Sequence, residues 1–157
     1  MRALVLVEPG QIELQQRPDP QPGPGEVLLK VEATTLCGTD LRIISGAKTA
    51  GVRPGVIMGH EIAGRIAAVG DGVSGYSVGQ QATPSIVLSC NHCRVCLLGL
   101  EHLCENLRLF GYELDGGLAD YCLIPARAVA QGNLVTTRVE VPPTHLALAE
   151  PLSCCIN

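Results

Sequence analysis

Six short runs of apolar or β-branched residues, each bounded by glycine or proline, constrain the fold of this chain most strongly. Runs of this length and pattern predict strands. The predicted strands are residues 3–7, 11–15, 27–35, 61–69, 82–88 and 118–124. The chain has 18 glycines and 11 prolines among 157 residues, which favours strands joined by turns over a helical bundle. We therefore expect a mainly β protein with few short helices, built as a barrel or a sandwich.

Helical periodicity is confined to two short stretches. It appears over residues 39–45 and again over residues 145–150, which run into Pro151. Proline suits the first turn of a helix, so a new helix is expected there. Because scarcely two turns remain before Asn157, and so short a helix is marginal by itself, we expect the sequence to be part of a longer protein. Residues 18–25 contain four prolines and predict an extended surface loop.

Composition excludes several classes of function. The hydrophobic fraction of 46% is too high for a disordered segment. The 11 basic residues against 15 acidic ones give a net charge of -4 without a basic stripe, so no nucleic-acid partner is expected. No run approaches the roughly 18 apolar residues that span a bilayer, and residues 3–7 are too short for a signal peptide. The sequence predicts a cytoplasmic protein without a membrane partner.

Four of the eight cysteines are crowded into one short stretch with the spacing Cys-x2-Cys-x2-Cys-x7-Cys. They are Cys90, Cys93, Cys96 and Cys104. Thiolates this close can converge tetrahedrally on Zn²⁺ and stabilise a loop that lacks a core of its own. Disulfides between residues three apart would be strained. His92 lies within the stretch, but four thiolates already complete a tetrahedron.

An iron–sulfur cluster is the alternative for these cysteines, because Cys-x2-Cys-x2-Cys also opens ferredoxin motifs. Those motifs place the fourth cysteine four positions on and follow it with proline. Here Cys104 comes eight positions after Cys96 and is followed by Glu105. The spacing favours zinc.

A second candidate site combines two motifs 23 residues apart. Cys37-Gly-Thr-Asp40 follows a predicted strand, and Gly59-His60-Glu61 opens another. A thiolate and an imidazole at strand ends, each near a carboxylate, could form a zinc site with an open position. Each residue alone is a weak signal, because a single cysteine or histidine more often has a structural role.

The order of these motifs resembles that of the zinc-dependent medium-chain alcohol, polyol and threonine dehydrogenases. The similarity covers almost the whole chain and includes two further segments, 115–126 (DGGLADYCLIPA) and 150–157 (EPLSCCIN). The resemblance implies a GroES-like, partly open β-barrel with a zinc-binding loop lobe. It divides the chain into a catalytic domain at 1–149, with the lobe at 88–107, and the start of a helix at 150–157. That helix would lead to a Rossmann domain.

The resemblance also implies roles for individual residues. Cys37, His60 and Glu150 would bind the catalytic zinc, and the four crowded cysteines would bind a structural zinc, which makes two zinc ions. A glutamate as third ligand is typical of the polyol and threonine branch. Cys154 and Cys155 are alternatives for this ligand, since Cys154 lies i+4 from Glu150, although helix packing explains both.

Three residues near the catalytic zinc take further roles by the same resemblance. Thr39 would hydrogen-bond the substrate oxygen and begin a proton relay, and it also suits the N-terminus of a helix. Asp40 would orient His60, and Glu61 would lie adjacent to the metal. The family often has a histidine two places after this aspartate, whereas this chain has Arg42, which cannot shuttle protons. A second departure, at residues 79–81 (GQQ), replaces Gly-Asp-Arg and is interpreted as a lost structural ion pair.

The implied reaction needs a hydride acceptor, which the family supplies as NAD(P) from a Rossmann domain. One G-x-G-x-x-G match occurs at residues 70–75, but its continuation is not helical and no acidic residue follows until Glu101. We interpret it as a turn.

The expected function is thus the zinc-binding portion of an NAD(P)-dependent dehydrogenase. It would act on a small alcohol or polyol and form a homo-oligomer at full length. A non-catalytic zinc-stabilised module and an iron–sulfur protein remain the alternatives.

Overall fold

The computed structural model describes residues 1–156 and shows a mainly β protein with short helices, which confirms the predicted fold class. The strands are β1 (Arg2–Glu8), β2 (Gln11–Gln16), β3 (Val27–Thr35), β4 (Val56–Ile57), β5 (Glu61–Val69), β6 (Gln81–Pro84), β7 (Val87–Leu88), β8 (Arg108–Leu109), β9 (Tyr121–Ile124) and β10 (Leu134–Thr136). The helices are α1 (Gly38–Ile44), α2 (Arg94–Leu97), α3 (Ala126–Ala130), α4 (Pro143–Leu146) and α5 (Ala149–Ile156). Glu101–Leu103 forms a 3-10 turn.

The strands form three sheets. A five-stranded sheet has the order β10-β6-β5-β3-β9, a three-stranded sheet has the order β2-β1-β4, and β7 pairs with β8. Over residues 1–156 these sheets stay open rather than closing into a barrel, as expected for a partly open GroES-like fold. No helix in this part of the chain is long and apolar enough to cross a membrane.

The long antiparallel pair of β3 and β5 supports the main core. Its buried side chains include Val27 and Leu29 from β3 and Ile62 and Ile66 from β5, and Phe110 packs among them. The pair runs from Val27 opposite Val69 to Thr35 opposite Glu61. The register shifts at two points, but the pairing continues as far as Thr35 and Glu61. The sheet therefore places the start of β5 beside the segment that follows β3.

A second core holds α1 against the smaller sheet. Ile43 of α1 is buried with Leu6 of β1, Val56 of β4 and the adjoining Met58. α1 begins directly after Cys37, so this packing fixes the end of β3 and the N-terminus of the helix relative to β4. The chain then continues from β4 through Gly59 and His60 into β5.

Two predicted strands differ from the structure for identifiable reasons. The run 82–88 is divided into β6 and β7, because Ser85 leaves the ladder and its N–H donates to the carbonyl of Asn133. In the run 118–124 only β9 joins the large sheet. Leu118 and Ala119 instead bond across to β1, where the Leu4 N–H donates to the Leu118 carbonyl.

The C-terminal segment forms the two short helices α4 and α5, where a helical stretch at 145–150 and a new helix at Pro151 were expected. Leu146 of α4 and the following Ala147 pack on Ala63 of β5, which attaches this segment to the large sheet. α5 carries Glu150, Cys154 and Cys155. The last residue of the expected segment 150–157, Asn157, lies outside the described residues.

Candidate metal centres

The four crowded cysteines are brought together by a loop lobe between β7 and β8. Cys93 caps α2, Cys96 lies within this helix, and Cys104 follows the 3-10 turn. Asn91 adopts a positive φ of 60°, which turns the chain sharply between Cys90 and Cys93. All four side chains are buried, and among residues 1–156 only Val95 and Leu107 pack beside them as partly buried apolar residues. The lobe therefore has little hydrophobic core beyond its cysteines.

The spacing of the sulfurs fits one tetrahedral ion. The Sγ atoms are 3.4 Å apart for Cys93 and Cys96, 3.9 Å for Cys93 and Cys104, and 4.0 Å for Cys90 and Cys96. Zn–S bonds of about 2.3 Å in a tetrahedron place ligand sulfurs about 3.8 Å apart. All four cysteines are free thiols, not disulfides. Sulfurs this close could hold a single ion, whereas a cluster that binds each cysteine through a different iron needs wider spacing.

Backbone N–H groups surround these sulfurs. The N–H of Cys90 donates to the Cys104 sulfur at 3.2 Å, and the N–H of Cys93 donates to the Cys90 sulfur at 3.3 Å. The backbone of His92, followed by that of Cys93, lowers the pKa of Cys90, whereas burial raises the pKa of Cys96. The lobe thus stabilises thiolate at some positions, as a metal site requires. His92 turns its Nδ1 to the Cys90 carbonyl at 2.8 Å.

The second site forms where β3, α1 and β5 meet. Ligand atoms of Cys37, His60 and Glu61 all lie within 4.8 Å of one another. The Cys37 N–H donates to the Asp40 carboxylate at 2.9 Å, which caps α1 and fixes the cysteine at the helix start. The backbone N–H of Thr39 hydrogen-bonds the Cys37 thiol, with further contributions from His60 and the Thr39 hydroxyl, and lowers its pKa.

His60 is buried against Asp40. Its Nδ1 lies 3.5 Å from Asp40 Oδ1, and within residues 1–156 neither atom has a hydrogen-bond partner of good geometry. Burial disfavours the imidazolium, but the side chains of Asp40 and Cys37 outweigh burial and raise the pKa of His60 to about 9. A histidine with one ring nitrogen directed at a buried carboxylate is typical of metal-ligating histidines. Together with the thiol beside it, this donor set fits zinc.

Glu61 was expected to lie adjacent to the metal, and the structure places its carboxylate among the candidate ligand atoms. Its carboxylate is in the group of ligand atoms, only 4% exposed, and accepts a hydrogen bond from the Thr35 hydroxyl. Glu150, expected as the third ligand, is outside that group. Its Oε1 accepts a hydrogen bond from the Cys154 thiol at 3.6 Å, and it lines a cleft of about 490 Å³. Cys154 and Cys155 are exposed.

The structure adds two residues that the sequence pattern did not reveal. Tyr112 is buried, with its ring centroid 5.9 Å from that of His60, and the Lys48 ammonium lies 5.3 Å above the tyrosine ring. Thr35 contacts Glu61 as described above. The pairing of β3 with β5 was the only available signal for Thr35, and nothing local to the sequence indicated Tyr112.

Comparison with known proteins decides the family. Residues 23–134 match the alcohol dehydrogenase GroES-like domain, which is more than half of the chain. The chain belongs to this family. The resemblance inferred from the motifs is thereby confirmed.

Relatives of this GroES-like domain are longer proteins. The L-threonine 3-dehydrogenase of Pyrococcus horikoshii is 38% identical over 160 aligned residues, which cover 100% of this chain and 44% of the relative. A candidate zinc-binding dehydrogenase from Sinorhizobium meliloti 1021, solved with NADP, superposes with a TM-score of 0.90 at 35% identity. The match covers 99% of this chain and 43% of the Sinorhizobium chain. A cobalt- and zinc-bound thermostable alcohol dehydrogenase from Pyrobaculum aerophilum superposes with a TM-score of 0.81 at 34% identity. The match covers 96% of this chain and 44% of the Pyrobaculum chain. The GroES-like chain thus spans less than half of these relatives.

Two segments singled out in the sequence have structural explanations in this GroES-like domain. Residues 70–75 form a turn without a following helix, and a side chain at Gly70 would collide with the carbonyl of Gly23, so this glycine serves close packing between loops. Gln81, in the segment 79–81, is buried and hydrogen-bonds both the carbonyl and the N–H of Val141. A neutral amide therefore fastens the C-terminal segment to β6.

Proposed function

We propose that this chain is the zinc-binding portion of an NAD(P)-dependent dehydrogenase that oxidises a hydroxyl group of a small alcohol or polyol. One observation carries the proposal: two separate groups of metal-ligating side chains, which share no residue. One group is closed by four buried thiols. The other brings a thiol, an imidazole and a carboxylate together, and three protein ligands are the number with which catalytic zinc sites keep a fourth position for water or substrate.

In this proposal the four-cysteine lobe holds a structural zinc, and the lobe's loop is ordered by it. Cys37 and His60 bind the second ion with an acidic residue. Glu150 is the third ligand that the family pattern implies, and Glu61 is supported by its position among the ligand atoms. Zinc bound there would act as a Lewis acid and make a substrate hydroxyl acidic enough to lose its proton near neutral pH.

The chain's own residues then orient the site and move the proton. Asp40 holds His60 in one orientation through the 3.5 Å contact. Thr39, in the first turn of α1 next to Cys37, would hydrogen-bond the substrate hydroxyl and begin a proton relay, accepting the substrate's proton as it passes its own hydroxyl proton onward toward solvent. Arg42, exposed on the same helix, offers only hydrogen-bond donors and has no part in the relay.

We further propose that the nicotinamide cofactor is bound by a Rossmann domain of the longer protein, which follows α5. The NADP in the S. meliloti relative supports this assignment. The relatives named L-threonine 3-dehydrogenase extend the candidate substrates to hydroxyl-bearing amino acids.

The test is zinc content by elemental analysis. We expect about two zinc ions per chain in the wild type and about one in Cys37→Ser. Cys122→Ser is the matched control, because Cys122 is buried in β9 outside both ligand groups, and it should keep both ions. One zinc in the wild type would favour a non-catalytic module instead, and iron with inorganic sulfide would favour an electron carrier.

A further inference from the structure

The hydroxyl of Thr35 reaches the second site because of the position of Thr35 in β3. Thr35 ends β3 and lies directly opposite Glu61, which begins β5. Side chains opposite each other in an antiparallel pair lie on the same face of the sheet, with Cβ atoms about 4.5–5.5 Å apart. The register therefore places the hydroxyl within reach of the carboxylate.

The Glu61 carboxylate depends on this hydroxyl. A buried carboxylate is costly unless hydrogen bonds or a positive charge compensate it. Thr35 is the one side chain of residues 1–156 that hydrogen-bonds Glu61, and no lysine or arginine in that part of the chain forms an ion pair with it. Within the described residues, the hydroxyl of Thr35 is therefore the one side-chain hydrogen-bond donor that orients the Glu61 carboxylate.

We propose that Thr35 is a positioning residue of the second metal centre. It holds the Glu61 carboxylate beside Cys37 and His60, where a carboxylate oxygen contributes to binding the metal. This inference rests on the proposed function, in which Cys37 and His60 hold zinc. It adds that the affinity of this centre depends on a hydroxyl that does not itself touch the metal.

The experiment measures the affinity of the chain for its second zinc ion by competition with a chromophoric chelator. Thr35→Val removes the hydroxyl and preserves the side-chain shape. We expect it to weaken binding of the second zinc about tenfold, as is typical for partners of metal ligands, and to leave the four-cysteine zinc unchanged. Thr35→Ser keeps a hydroxyl and should restore the affinity. Retention of the four-cysteine zinc also shows that each variant is folded.

Thr34→Val is the matched control. Thr34 precedes Thr35 in β3, faces the opposite side of the sheet, and its buried hydroxyl has no hydrogen-bond partner within the described residues. Its replacement should not lower the affinity for the second zinc. Equal weakening in Thr34→Val and Thr35→Val would mean that the strand, not the hydroxyl, is responsible, and would overturn the proposal.

A double-mutant cycle tests whether Thr35 acts through Glu61. Once Glu61→Gln has removed the carboxylate, adding Thr35→Val should cause no further loss of affinity. In the wild type, Co²⁺ added to fill the second site should show a visible ligand-field spectrum that Thr35→Val alters and Thr34→Val does not. Fully additive losses, or wild-type affinity in Thr35→Val, would refute the role of Thr35 while leaving the proposed function intact. A wild type that binds one metal ion in total would refute both.

Discussion

Replacing Gly59 with alanine should damage the second metal site through its backbone. Gly59 precedes His60 and adopts φ +88°, a conformation that costs a residue with a Cβ about 1–2 kcal/mol. A Cβ there would lie 2.7 Å from Leu118 Cγ and 3.0 Å from the Leu118 backbone nitrogen. That nitrogen is held by a hydrogen bond to the Met58 carbonyl, so the clash adds overpacking of about 1–3 kcal/mol. The expected total is about 2–5 kcal/mol of lost stability.

Gly10→Ala provides the matched control. Gly10 has the same φ of +88°, but a Cβ there meets nothing within 4 Å, so this variant should lose only the backbone part, about 1–2 kcal/mol. Urea unfolding in the presence of zinc measures the free energy of unfolding of both variants, and chelator competition measures their second zinc. We expect Gly59→Ala to be the less stable variant and the only one with a weakened second zinc, because His60 is displaced. Equal stability and equal zinc retention in the two variants would refute the reasoning.

Three further predictions concern other parts of the molecule. Cys104→Ser should make the lobe sensitive to proteases while Cys122→Ser should not, because the lobe depends on its metal for order; limited proteolysis with mapped cleavage sites measures this, and equal resistance would contradict it. Glu150→Ala should lower zinc content toward one ion per chain and spare the four-cysteine zinc, and unchanged content would leave Glu61 as the acidic ligand. The Arg2 side chain holds the pKa of Asp120 at about 2, so their pair stabilises the fold above about pH 4 and loses this effect as the pH falls toward 2. Asp120→Asn should therefore lower the urea midpoint at pH 7 and show a smaller further drop on acidification than the wild type; an equal drop would contradict it.

Local patterns predicted the long strands well. The predicted ranges 27–35 and 61–69 coincide with β3 and β5, because each run is long and carries buried side chains that pack in the main core. β4 and β8 have two residues each, and β10 has three. Strands this short have no periodicity to detect, and they form because neighbouring segments offer backbone partners.

The metal sites illustrate the same limit. The convergence of the four cysteines in the lobe could be predicted because they are close in sequence and their spacing is typical of a metal site. The contact of Thr35 with Glu61 depends on the register of two strands, and the distance of Glu150 from Cys37 depends on how α5 packs against the sheet. Such relations are long-range. Residue types and spacing therefore named the candidates, and only the packed chain shows which side chains meet.

Anomalous diffraction from a crystal of the zinc-loaded protein tests most directly whether one chain holds two independent zinc sites. Data collected above and below the zinc absorption edge show where each ion lies. We expect two peaks per chain, one surrounded by Cys90, Cys93, Cys96 and Cys104 and one between Cys37 and His60 with a carboxylate oxygen alongside. A single peak confined to the four-cysteine lobe, in fully zinc-loaded protein, would contradict it.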